Sequence, residues 1–184
     1  TAGLSRTGVM ILNTSGFNQF DTLEVDGGRY GVVTLTSDAL FNNCSFIPDL
    51  NGIFGVLFKD TAGGGGLTST VMTLPLFDLE QGVSSAYTAN LIASGPADIS
   101  CVGGHWQMTG NAARQTPILV DGGNSISFHG GFFNSDSTSA TTLVRVSVST
   151  QTPTLPVMFY APSLNTRFTT LCDTANVVVA LSDQ

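Results

Sequence analysis

The stretch Asn124–Ser137, NSISFHGGFFNSDS, sets three Phe and a His around a Gly-Gly pair and then runs into small polar residues. A second stretch, Ala97–Gly110, ADISCVGGHWQMTG, has the same order: a β-forming run, Gly-Gly, an aromatic and a polar turn. Setting Asp98 over Asn124 gives an offset of 26 residues, and sliding by one gives 27. Steps of similar length reach DALFNNCSFIPD (Asp38–Asp49), STVMTLPLFDLE (Ser69–Glu80) and PTLPVMFYAPSLN (Pro153–Asn165). The pivotal aromatics are then Phe46, Phe77, Trp106, Phe133 and Tyr160, spaced by 31, 29, 27 and 27 residues.

The strand before each pivot also recurs. LEVDGG (Leu23–Gly28) and ILVDGG (Ile118–Gly123) share Val-Asp-Gly-Gly, and GVLFKD, NLIASG and RVSVST take the rows between and after. Counting TGVMILNTSGFNQ (Thr7–Gln19) as the tail of a first row gives six rows. A period of roughly 27 to 30 residues with two or three short strands in each is the pattern of a stacked β solenoid. Rows would then repeat at about 4.8 Å, and equivalent residues would form columns. The five aromatics would form one such column, so the Phe residues of SFHGGFF are read as core. Cys44 and Cys101 would share another column with a row between them, about 9 to 10 Å apart, too far for a disulfide.

The rest of the chain agrees with an all-β reading. Runs such as VMILN, GVVTLT, TPILV, PVMFY and NVVVAL are separated by turn clusters such as DGG, SGPAD and TQTPT. No segment of a dozen residues avoids β-branched residues, Gly and Pro. A β-sandwich or jelly roll is the alternative. It fits the run-on hydrophobicity of FGVLF and NVVVAL less well, because a strand with one wet face should alternate.

Composition bounds the function. Of the 184 residues, hydrophobic ones make up 42% and charged ones only 10%, against about 25% charged in an average protein. One domain over 1–184 fits this length. The polar surface must come mostly from Thr, Ser, Asn and Gln, side chains suited to hydrogen bonding with neutral ligands such as sugars. Net charge is −7, with one Lys and five Arg, which argues against nucleic acid as a partner. No basic amphipathic helix and no apolar run of about 20 residues points to a membrane. The opening TAGLSRTG has no initiator Met, which suggests a processed product or a piece of a longer chain. Three Cys form no disulfide framework and no Cys/His cluster, so neither a metal nor another cofactor is expected. Cys172 is read as a small apolar residue rather than a nucleophile.

Several groups are weighed for chemistry. Asp26 and Asp121 occupy equivalent row positions in this alignment but lie too many rows apart to act together on a glycosidic bond, and Asp-Gly-Gly is a plain turn signal. Glu24 and Asp26 share a face, as do Asp78 and Glu80; solvated faces explain both pairs. Asp26, Asp78, Glu80 and Asp98 are therefore the weak catalytic candidates. His105 and His129 each adjoin a Gly-Gly pair, with no Gly-x-Ser-x-Gly elbow beside them. TAGGGGL (Thr61–Leu67) lacks the Lys-Ser/Thr of a phosphate loop and reads as a bulging turn, a weak binding candidate. Asn13-Thr-Ser and Asn43-Cys-Ser match the glycan-acceptor pattern and are read as chance. Trp106 and Tyr160 are the sugar-stacking candidates if the aromatic column faces outward, and core if it faces inward. With His105 and His129 they complete the ligand-binding candidates.

Rows such as ILVDGGNSISFHGGFFNSDS and LIASGPADISCVGGHWQMTG resemble coils of the right-handed parallel β-helix of phage tailspikes and pectate-lyase-like proteins. The scarcity of Lys and the wealth of Gly, Thr, Ser and Asn also resemble phage tail fibres and spikes. The resemblance is one of pattern over most of the chain, without a diagnostic motif, and this chain is much shorter than a full tailspike. It implies a homotrimeric virion protein, exposed outside the cell, that binds bacterial surface polysaccharide. It also leaves open a polysaccharide hydrolase or lyase, or a purely structural capsid or tail component contacting other virion proteins. It carries no catalytic residue over.

Overall fold

The computed structural model describes residues 7–12, 17–26, 30–35, 38–47, 54–59, 68–79, 88–95, 97–108, 115–122, 125–136, 141–146, 157–165, 168–172 and 179–182. Twenty strands, β1 to β20 in chain order, account for most of them. The first sheet is β1 (Thr7–Leu12), β4 (Tyr30–Leu35), β7 (Phe54–Lys59), β10 (Thr88–Gly95), β13 (Gln115–Gly122), β16 (Thr141–Val146) and β19 (Phe168–Cys172). The second is β2 (Phe17–Asp21), β5 (Asp38–Asn42), β8 (Thr68–Thr73), β11 (Ala97–Val102), β14 (Ser125–His129), β17 (Val157–Tyr160) and β20 (Val179–Ser182). The third is β3 (Glu24–Asp26), β6 (Ser45–Ile47), β9 (Leu76–Leu79), β12 (His105–Met108), β15 (Phe132–Ser135) and β18 (Ser163–Leu164).

Every third strand joins the same sheet, so the chain visits the three sheets in turn. All pairings among the described strands are parallel, from β1 with β4 to β17 with β20. The antiparallel hairpins of the alternative sandwich do not occur among them. Parallel neighbours need a long crossover, and here the other two strands of each row serve as that crossover.

The second and third sheets are joined in every row by two residues: Thr22-Leu23, Asn43-Cys44, Leu74-Pro75, Gly103-Gly104, Gly130-Gly131 and Ala161-Pro162. The first of each pair has positive φ, from 47° at Ala161 to 70° at Gly130. That left-handed kink turns the chain through the corner, and the bends then hydrogen-bond to one another. The Asn43 N–H donates to Thr73 O, Leu74 N–H to Val102 O and Gly103 N–H to His129 O, each at 2.8 Å. Just past the bend, His105 N–H donates to Pro75 O at 2.8 Å and Phe132 N–H to Gly104 O at 2.9 Å. Backbone polarity at the corner is thus satisfied between rows. The Gly-Gly pairs in the two opening stretches are this corner. Only there does the second bend residue also take positive φ, 91° at Gly104 and 93° at Gly131, which Gly alone adopts readily.

Inward-facing residues of the three sheets form one buried cluster. The third sheet contributes Val25, Phe46, Phe77, Trp106 and Phe133, the second Phe41, Met72, Cys101, Phe128 and Phe159. Along the third sheet Phe46, Phe77, Trp106 and Phe133 stack at 5.0, 4.4 and 5.4 Å between ring centroids. Across the corner the two columns meet edge to face, as Trp106 does with Phe128 at 5.4 Å and 83°, a favoured aromatic geometry. Bulk is traded within a row: Trp106, the largest, shares its row with Cys101, whereas Phe133 shares its row with Phe128. Close packing requires such compensation. In the first sheet Thr116, Pro117 and Ile118 are buried in succession, which accounts for the unbroken hydrophobicity of TPILV.

Four details of the expected alignment are corrected. Phe133 pairs with Leu164, not Tyr160; Tyr160 lies in the second sheet opposite His129. The spacing of 27 had skipped the bend. Cys44 is a bend residue, whereas Cys101 sits in β11 between Met72 and Phe128, so the two belong to different columns; both thiols are free. Asp26 is in the third sheet and Asp121 in the first, opposite Ser94. The shared Val-Asp-Gly-Gly is therefore a coincidence of turn chemistry. Finally, TGVMIL opens a row of its own as β1, and the sheets hold seven, seven and six strands.

Candidate functional site

The third-sheet strands are short, and their pleat sends alternate side chains out of the core. Two outward columns result. One holds Glu24, Ser45, Leu76, His105, Phe132 and Ser163. In the other, Asp26 lies opposite Ile47, and Asp78, Gln107 and Asn134 follow one another in register. Asn165 extends this second column, its N–H bonded to Phe133 O at 3.1 Å.

The second column is a ladder of amides. Asn165 donates through Nδ2 to Asn134 Oδ1, and Asn134 Nδ2 to Gln107 Oε1 at 2.6 Å. Gln107 Nε2 donates to Asp136 Oδ2 at 2.8 Å. An amide carries both a donor and an acceptor, so identical spacing lets each side chain serve the next. Asp136, with acceptors only when ionised, ends the series.

At the other end the pattern breaks. Asp78 Oδ1 and His105 Nε2 are buried atoms without a hydrogen-bond partner among the described residues. Burial holds the Asp78 carboxyl above the usual carboxylate range; a charged His105 would pull it down and Asp136 pushes it up. Asp136 lies two rows away and two residues further along than Asn134, which is in register with Asp78.

The candidates from the sequence divide accordingly. Asp78 and His105 come together on this face, and Asp26 lies exposed on it two rows from Asp78. Glu24 flanks Val25 with Asp26 on the same outward side, as expected. Asp98 is elsewhere, in the second sheet between Ser69 and Ser125. Glu80, Thr61–Leu67 and Asn13 lie outside the described residues. Asn43 is exposed in its bend. Trp106 is 0% exposed with a ring stacked on each face, so the inward reading of its column holds. His129 and Tyr160 face outward from the second sheet and stack on each other at 4.6 Å and 11°. Among the described residues no three His, Cys, Asp or Glu converge as a metal site requires, and no helix is long and apolar enough to cross a membrane.

Residues that the sequence reading passed over are Phe132, Gln107, Asn134, Asp136 and Asn165. Phe132 is 42% exposed and tilted 42° against His105, with centroids 5.2 Å apart. Read with its neighbour Phe133 it looked like core. The signal available was the pleat: adjacent strand residues point to opposite faces, so with Phe133 in the core column Phe132 points the other way. Exposed Leu74, Leu76 and Val102 continue the apolar surface around the corner.

Comparison of the chain with protein-family models, curated proteins and solved structures finds no match.

Proposed function

We propose that the chain winds as a right-handed parallel β-helix, closes as a homotrimer, and serves as a spike- or fibre-like virion protein that binds bacterial surface polysaccharide. Right-handedness is the general rule for parallel crossovers. One observation carries the binding assignment: the outward face of the third sheet combines neutral amides with an exposed ring, and its strands carry no Lys or Arg among the described residues. Such a face suits hydroxyl-rich neutral ligands better than nucleic acid or anionic lipid. The exposed apolar corner at Leu74, Leu76 and Val102 supports self-association. Light scattering should return a mass three times 19.1 kDa, and a glycan array should give hits among bacterial surface polysaccharides. A monomer removes the trimer. An array without hits, joined to stable co-purification with particles, favours a purely structural role contacting other virion proteins.

A second reading, a polysaccharide hydrolase, is favoured by the Asp78 carboxyl, which burial holds above its ordinary range and Asp136 pushes further up. Inverting enzymes pair such a raised carboxyl, as acid, with a second carboxylate as base. Release of reducing ends from capsular or O-antigen polysaccharide, abolished by Asp78→Asn, is the result that supports it. Retention of full activity in Asp78→Asn removes Asp78 from the role.

A further inference from the structure

In a molecule built of stacked rows, most ring faces are consumed by the rows above and below. Trp106 has Phe77 on one side and Phe133 on the other. His129 and Tyr160 cover one face of each other. Phe132 differs. Its neighbour in the next row is Ser163, which is too small to cover the ring, and on the other side His105 meets it tilted at 42° rather than laid flat on it.

The bend before Phe132 is open at its first residue, although a Cβ on the second, Gly131, would meet Gly103 O at 2.9 Å. A Cβ placed on Gly130 would meet nothing within 4 Å, whereas one on Gly103 would meet Leu74 Cδ2 at 2.8 Å. The row on one side carries Ala161-Pro162 at its bend, and on the other the Leu74 side chain lies over the Gly103 bend, so Gly130 leaves a notch in the corner two residues from an exposed ring. The ladder begins on the other side of the ring, with Asn134 two residues beyond Phe132 and Gln107 beside it in the adjoining row, and Asp136 follows the end of the strand.

We infer that Phe132 and the Gly130 notch form a subsite for an uncharged sugar, on a sheet face whose exposed carboxylates, Glu24, Asp26 and Asp136, disfavour acidic ones. This rests on the polysaccharide-binding reading and adds the place and the charge class of the ligand. A pyranose presents an apolar C–H face and a rim of hydroxyls. The face lies on the Phe132 ring within the notch, and the hydroxyls meet the ladder side. A uronate or sialate carboxylate would bring like charge to a face whose Glu24, Asp26 and Asp136 carboxylates have no described Lys or Arg on the third-sheet strands to offset them.

The test is affinity electrophoresis and titration of the full chain with dextran and mannan as neutral probes, and polygalacturonate and polysialate as acidic ones. Phe132→Ala and Gly130→Asn are the variants. Asn43 occupies the bend position of Gly130 with a φ of 50°, so Asn there folds while filling the notch. The inference expects binding to a neutral probe, weakened about tenfold by Phe132→Ala, the scale of losing one ring stack, and weakened also by Gly130→Asn. Neutral binding that survives both variants, or binding to acidic probes alone, overturns the subsite and leaves polysaccharide binding standing. Binding to none of the four overturns the subsite together with the reading on which it rests.

Discussion

Trp106 and Gln107 are adjacent in sequence and belong to one strand, yet their columns obey different rules. The inward column through Phe46, Phe77, Trp106 and Phe133 is held by ring stacking and exclusion of water. The outward column through Gln107, Asn134 and Asn165 is held by amides that satisfy one another. Both exploit the same row spacing. Inside, a residue must have the right volume, because its neighbours in the row have already taken the remaining space. Outside, it must have the right donor and acceptor, because solvent supplies the volume. The two columns should therefore respond to mutation on different scales.

The largest effect is expected inside. Trp106→Ala removes a fully buried indole and should cost about 3 to 5 kcal/mol in a denaturant titration. A cost below that of an exposed truncation such as Leu76→Ala would mean the column does not carry the core. Next comes the corner between the columns. Gly104→Ala places a Cβ 2.5 Å from Pro75 O at a φ of 91°, and a backbone oxygen cannot swing aside. Its cost should be roughly 1 to 3 kcal/mol. Gly130→Ala, with no atom in the way, carries only the left-handed penalty of about 1 to 2 kcal/mol. Equal losses at the two sites would show that conformation, not contact between rows, sets the cost.

The outward ladder should lose less. Asn134→Ala breaks the link between Gln107 and Asn165, a change of about 0.5 to 1.5 kcal/mol in the same titration. Smallest, and distinguished by sign, are the carboxylates. Asp78 has a raised folded value, so its stabilising contribution is full below the ordinary carboxylate range and is lost as pH rises through that raised value. Asp21, exposed, accepts from Asn42 at 2.8 Å and Gln19 at 2.9 Å, and these bonds lower its value. Its contribution is present above the ordinary range and is lost as pH falls through the lowered value. Melting curves across acid to neutral pH should flatten in opposite directions for Asp78→Asn and Asp21→Asn. Slopes of the same sign would contradict these assignments.

Much of the interior was legible from spacing. Phe46, Phe77, Trp106 and Phe133 were read as one column, and they are paired residue by residue. Tyr160 was misplaced because the search followed aromatics; Leu164, the true occupant, is aliphatic. The bends were half legible. Gly-Gly announced itself twice, but Asn43-Cys44, Leu74-Pro75 and Ala161-Pro162 make the same corner with no residue common to all three, since the hydrogen bonds that hold it are backbone to backbone. The ladder was hidden for another reason. Gln107, Asn134 and Asn165 are ordinary surface residues until the rows bring them within reach of one another.

What the amino-acid sequence determined by itself is the all-β character and the recurring core, because β-branched and aromatic runs between turn clusters leave the backbone few other ways to bury them. The tertiary structure decided which residues share a column and which side of each strand meets water. Those depend on the register between strands 21 to 35 residues apart and on the two-residue bend that sets the phase of each row. Shifting a row by one position would exchange Trp106 with Gln107, and with them core and surface.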